Sequence, residues 1–197
     1  MILINSVKKF FNIPFGYFLI LIQFFMLINT EFFFPNNTEF YRNMIIMFLL
    51  SFVLMYAMPD IRAKVFRVKL KDYLPKYIIF LVLGIVLLKA GSFFAGVGEP
   101  KAITLNIGVL ALNWFVIASI EELIFRNMLV KKFGQIPAMA LFGVFHLIAY
   151  QLAVIKIVYA MIMHVVLYMV QQKFSKNSSA ANSGLHTAIN YFQGVGL

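Results

Sequence analysis

The chain has 197 residues, 62% of them hydrophobic and 12% charged, with a mean hydropathy of +0.90; a soluble domain is roughly 45–50% apolar and 25% charged, so this composition is that of a polytopic membrane protein. Cysteine is absent, which excludes disulfides and thiolate chemistry. The formal charge of +10 does not signal nucleic acid, because the basic residues fall between apolar runs, as they do in membrane proteins.

The apolar runs are long and continuous, whereas transmembrane barrels need alternating strands of roughly ten residues. The expected fold is all-α, a polytopic transmembrane helix bundle with about seven membrane helices. Lys8 and Lys9 precede a run from about Pro14 to Phe34. That run exceeds a signal-peptide core and no small-residue cleavage site follows, so it reads as the first membrane helix, N-terminus inside. The second run, Asn43 to Met58, is short for a span and stops at Pro59-Asp60.

A basic stretch follows, with Arg62, Lys64, Arg67, Lys69, Lys71 and Lys76 interleaved with Ile61, Val65, Phe66, Leu70, Tyr73 and Leu74. It reads equally as an amphipathic helix on an anionic leaflet and as a solvated cytoplasmic loop. The third run is Tyr77 to about Gly96, with Lys89 placed to snorkel to the interface. Residues 1–101 thus look like scaffold helices, and residues 102–197 like the motif-bearing helices of the same membrane domain.

The fourth run, about Ala102 to Val130, ends at Lys131-Lys132, and Gly134 and Pro137 mark the next boundary. The fifth is about Pro137 to Tyr150 and the sixth about Leu152 to Val170, with a weakly marked break between them. Lys173 to Asn182 is polar and reads as a loop before a last segment, Ser183 to Leu197. An N-in arrangement leaves Arg42, Lys101 and Lys156 outside, with Lys89 near that side, and the other basic residues inside, as the positive-inside rule requires.

The polar residues within the runs carry the chemistry. Each ionisable side chain in a spanning helix costs roughly 2.5–3.5 kcal/mol on insertion scales, and such residues usually face a bundle interior or wet cavity. Glu121, Glu122 and Arg126 lie in the fourth run with Ser119 and Asn113, His146 in the fifth, His164 in the sixth, and His186 and Asn190 in the last. Glu122 and Arg126 share a helix face and can pair, which leaves Glu121 free for another partner. At 1.5 Å per residue, His146 lies roughly 13 Å and Glu121 roughly 8 Å or more from the cytoplasmic side, so these groups and His186 can converge in the cytoplasmic half of the membrane. Glu with His can activate water as a general base; Glu121, His146 and His186 can equally hold Zn²⁺ with an open position. Glu122–Arg126 alone can be a structural ion pair, and His164 reads as structural.

Glu121-Glu122-x-x-x-Arg126, Phe142-x-x-x-His146 and His186-x-x-x-Asn190 resemble, in this order and on three separate helices, the three-motif signature of the CPBP family, the CAAX-protease and bacteriocin-processing (Abi) intramembrane proteases. The resemblance runs from about Ser119 to Asn190. It implies a helical intramembrane endopeptidase, of the metallopeptidase or glutamate type, with a cavity open to the cytoplasmic leaflet. It also implies that Glu121 and His146 act on the attacking water, that His186 and Asn190 bind the oxyanion, and that Glu122 and Arg126 support the cluster. The substrate it implies is a membrane-associated peptide or protein: a prenylated tail, a bacteriocin leader or a signalling-peptide precursor. The Phe/Ile/Lys-rich composition points to a bacterial plasma membrane. Two rivals stand beside this reading. One is a non-catalytic bacteriocin-immunity or partner-binding protein of the same fold. The other is a small proton-coupled transporter, against which the lack of a repeat-related second half argues.

Overall fold

The computed structural model describes residues 11–36, 38–94 and 107–194. Among these, every element is helical apart from an isolated β-bridge between Pro14 and Lys69. The segment carrying Lys8 and Lys9, the loop Gly98–Lys101 and the last three residues lie outside the described residues.

Helix α1 (Phe15–Ile28) ends at Asn29, whose side-chain amide donates to the Phe25 carbonyl at 2.8 Å. A single turn, α2 (Thr30–Phe33), leads into α3 (Thr38–Ala57), and Tyr41 ties the two by donating to the carbonyls of Thr30 and Phe34. The first run is thus a helix and a separate turn. The second is longer than expected, at 20 residues. Pro59 cannot continue α3 and instead occupies the first position of α4 (Pro59–Val65), where a missing N–H costs nothing.

The basic stretch is mostly helical rather than a loop. Its apolar residues turn inward: Val65, Phe66, Leu70 and Tyr73 are buried, while Lys64, Arg67, Lys69 and Lys71 stay on the outside. The Phe15 N–H donates to Val68 O at 2.5 Å, and the Phe15 ring stacks on Tyr73 with centroids 3.7 Å apart. Gly16 makes room for this, since a Cβ there would sit 1.1 Å from the Phe66 ring. The second part of the stretch already belongs to α5 (Leu70–Phe94).

Helix α6 (Ile107–Glu121) runs without interruption into a π-helical segment, Glu122–Leu129, and a final turn α7 (Val130–Phe133). Gly134, with φ +88°, ends it, as its place after Lys131-Lys132 suggests. Burial, and then the neighbouring ammonium of Lys64, hold Lys131 below the ordinary lysine range. Helices α8 (Gln135–Ala149) and α9 (Val154–Val170) are separated by Gln151 and Leu152 in left-handed conformations, φ 50° and 62°, which is what stops α8. A second π-helical segment, Gln171–Ser175, extends α9. The last helix, α10 (Ala180–Gly194), begins earlier than expected. The polar stretch read as a loop is largely the second π segment and the first turn of α10.

Three stretches are long and apolar enough to cross a membrane: Phe40–Ala57, Leu70–Gly91 and Val154–Ser175. Phe15–Ile28 and Gln135–Leu147 are shorter apolar helices. An integral membrane protein built of helices follows, with three such spans among the described residues against the seven expected. Ile79, Val82, Val86 and Leu87 of α5 and Val154, Ile155, Ile162 and Met169 of α9 are exposed apolar side chains, as a lipid-facing surface requires.

What fixes the site is the contact of α10 with α5. A Cβ on Gly184 would lie 2.3 Å from the Tyr77 carbonyl oxygen, and one on Gly84 would lie 2.7 Å from the Ala188 Cβ. Small residues let membrane helices approach closely, and the approach brings Tyr77 Oη within 3.0 Å of Thr187 Oγ1. Gly184→Ala is therefore expected to destabilise the protein by about 1–3 kcal/mol through overpacking. Gly91→Ala, where no atom lies within 4 Å of the new Cβ, is expected to be neutral or slightly stabilising. Thermal unfolding of the two variants in detergent checks this, and equal midpoints would refute it.

Candidate active site

The site is built on the π segment. π turns are rare and occur mostly where function demands them, and all eight side chains of Glu122–Leu129 are buried. In the first coil of the segment Glu122 and Arg126 pair through Oε1 and Nη1. Both are withdrawn from bulk solvent, at 0% and 1% exposure. The Arg126 guanidinium also donates from Nε to the His164 carbonyl at 3.2 Å and lies over the Phe142 ring, 4.8 Å from its centroid.

Helix α10 completes the charge cluster. His186 Nδ1 lies 2.6 Å from Glu122 Oε1, and the Asn182 amide donates to Glu122 Oε2. The ring must carry its proton on Nδ1 to donate to that carboxylate. His186 Nε2 then faces Glu121, 3.7 Å from Oε2. That gap exceeds a direct hydrogen bond.

Helix α8 supplies His146, whose Nδ1 sits 2.8 Å from the Phe142 carbonyl oxygen. A carbonyl only accepts, so Nδ1 holds the proton and Nε2 presents its lone pair. The Phe142 ring packs against His146, His164 and Phe125, with centroids 4.3, 5.2 and 5.1 Å away. Phe142 thus holds the histidine by its backbone and the arginine by its ring.

Two cavities meet here. One is lined by Glu121, Arg126, His146, His186 and Asn190, with Tyr150 and Tyr159 at its side. The other is larger and mainly apolar and runs between α3, α6, the π segment and α8, past Met47, Leu50, Phe125 and Phe145. Glu121 and His146 line both cavities. The residues expected to act together, Glu121, His146, His186 and Asn190, are therefore on one cavity wall. Glu122 lies behind them, and Arg126 reaches that wall from the pair it forms with Glu122. His164 is fully buried, and neither ring nitrogen has a hydrogen-bond partner among the described residues. The Asn113 side chain lies outside the described residues.

Residues 103–192 match the family model described as type II CAAX prenyl endopeptidase, Rce1-like. The matched segment, 90 of the 197 residues, is similar to the CAAX-protease family that the three motifs resemble. The match spans all three motifs, from the approach to Glu121 to just past Asn190. No curated protein and no solved structure matches the chain significantly.

Sequence reasoning missed Asn182, Asn127 and Gln171. Gln171 donates to Asn127 Oδ1, and Asn127 donates to Ser179 Oγ, so the two π segments are joined by buried amides. A signal for Asn182 was present: it stands four residues before His186 and eight before Asn190, on one helix face. As for a metal, Zn²⁺ needs ligand atoms about 2.0–2.2 Å from one centre. Among the described residues no three His, Asp or Glu groups converge in that way.

Proposed function

We propose that the chain is an intramembrane endopeptidase that hydrolyses a peptide bond in a membrane-associated peptide or protein. The observation that carries this reading is that Glu121 and His146 stand where a polar cavity and a larger apolar one meet. An apolar or lipidated substrate segment lies in the large cavity, and its scissile bond reaches the pair. Water sits between Glu121 and His146. His146 Nε2 accepts one of its hydrogens, and Glu121 takes the proton lost as oxygen attacks the carbonyl carbon. The Asn190 amide donates to the oxyanion, while His186, protonated on Nδ1, presents Nε2 as an acceptor beside Glu121. Collapse of the tetrahedral intermediate breaks the C–N bond, and Glu121 returns the proton to the leaving amine. Glu122 holds His186, and Arg126 holds Glu122.

The distribution of basic residues between the apolar runs supports an N-terminus in the cytoplasm and a site in the cytoplasmic half of a bacterial plasma membrane. Coordination of Zn²⁺ by Glu121, His146 and His186 is the rival chemistry. The test is cleavage of a panel of fluorogenic peptides, some carrying a prenyl group, by the purified protein with and without a chelator. Wild type is expected to cleave, indifferently to chelator, and His146→Ala is expected to lose about 10²–10⁴-fold in rate. Loss with chelator would replace the side-chain mechanism by the metal one. A folded wild type that cleaves nothing in the panel would overturn the peptidase reading.

A further inference from the structure

Glu122 has no carboxylate oxygen left for chemistry. Oε1 accepts from Arg126 and from His186, and Oε2 accepts from the Asn182 amide. It is fully buried. Its charge is set among Arg126 and Glu121 on its own stretch of chain, His186 on α10, His164 on α9 and Tyr73 on α5. Of these contacts the one to Asn182 is neutral and directional. It fixes the rotation of the carboxylate, where an ionic contact alone leaves it free to turn. Asn182 is itself oriented, because Ser175 Oγ lies 3.4 Å from Asn182 Oδ1 and occupies the carbonyl end of the amide. Asn182 is 0% exposed and lies outside both cavities.

We infer that Asn182 is a positioning residue for the hydrolytic site: it locks the Glu122 carboxylate so that Oε1 holds His186 in its Nδ1–H form, with Nε2 aimed at Glu121 and the cavity. The chain of contacts runs from Ser175 in the second π segment, through Asn182 and Glu122, to His186. The spacing Asn182, His186, Asn190 puts the positioning group one turn before the histidine and Asn190 one turn after it. Without the amide, Oε2 is an unpaired buried acceptor. The carboxylate then turns to recover a donor, and the imidazole loses its fixed tautomer. A carboxylate that sets a histidine's tautomer and orientation acts on rate rather than on binding.

The kinetic arm of the test rests on the peptidase reading; a spectroscopic arm does not. Asn182→Leu keeps the side-chain size and removes the donor. Its kcat is expected to fall about 10–100-fold with KM unchanged within about 2-fold. Ser175→Ala, a milder change that leaves the buried amide in place, is expected to lower kcat by a few-fold in the same direction. The second readout is the ring-nitrogen NMR spectrum of ¹⁵N-histidine-labelled protein in detergent, with His186 assigned by His186→Gln. Wild type is expected to show His186 protonated at Nδ1, and both variants to show a tautomer mixture. A fall in kcat with His186 signals unchanged, or a change confined to KM or to the folded fraction, would make Asn182 merely structural and overturn the inference. If wild type cleaves nothing, the peptidase reading fails, and the His186 spectrum of the two variants still decides whether Asn182 sets the tautomer.

Discussion

Glu121→Gln is expected to lower kcat by about 10²–10⁴-fold while leaving KM and the unfolding midpoint nearly unchanged. The two adjacent glutamates differ in what surrounds them, and the difference sets the prediction. Glu121 retains 8% exposure, lines both cavities and has His186 Nε2 as a neighbour at 3.7 Å. Its amide isostere keeps shape and removes the base, so the loss falls on the chemical step. Glu122 is fully buried and accepts from three side chains. Glu122→Gln is expected to lower stability as well as rate, because an amide nitrogen would face donors where a carboxylate oxygen accepted. Parallel kinetics and unfolding curves for the two variants separate the roles. If Glu121→Gln keeps its rate, or if both variants lose rate and stability equally, the division of labour between the glutamates is wrong.

The helical membrane class was legible because a long apolar run has few other outcomes in lipid. The boundaries at Pro59 and Gly134 were legible for a similar reason, since each residue stops a helix by its own covalent geometry. The basic stretch after Pro59 was not. Its alternation of Lys and Arg with Val65, Phe66 and Leu70 suits a lipid surface as well as a protein one, and the deciding contact, Phe66 over Gly16, is distant in sequence. At the site, Glu121, His146, His186 and Asn190 stood out because a membrane does not hold polar side chains without a partner or cavity. The π segment was invisible, because i→i+5 bonding has no compositional mark and Glu122–Leu129 reads as an ordinary helix. Asn182 was hidden by its neighbours. Beside the polar residues Lys176, Asn177, Ser178 and Ser179 it reads as loop, although helix α10 already includes it.

Arg126→Ala is expected to destabilise the protein by about 3–5 kcal/mol, since it leaves a buried carboxylate without its cation. The arginine is 1% exposed, and it also closes a contact with the Phe142 ring and the His164 carbonyl, so the loss is not of charge alone. Removing both charges is a different matter. Replacing a buried ion pair by uncharged groups of similar volume is often neutral or stabilising by about 1–4 kcal/mol. The double variant Glu122→Gln with Arg126→Met is therefore expected to recover most of the stability that Arg126→Ala loses. It is not expected to recover rate, because His186 then faces an amide in place of the carboxylate that held it. Denaturant unfolding in bicelles, read beside peptide cleavage, gives both quantities for the same samples. A double variant that is stable and slow would show that the ion pair is retained for the orientation of His186. One that is stable and fully active would place the Glu122–Arg126 pair in the packing of the bundle and remove it from the site.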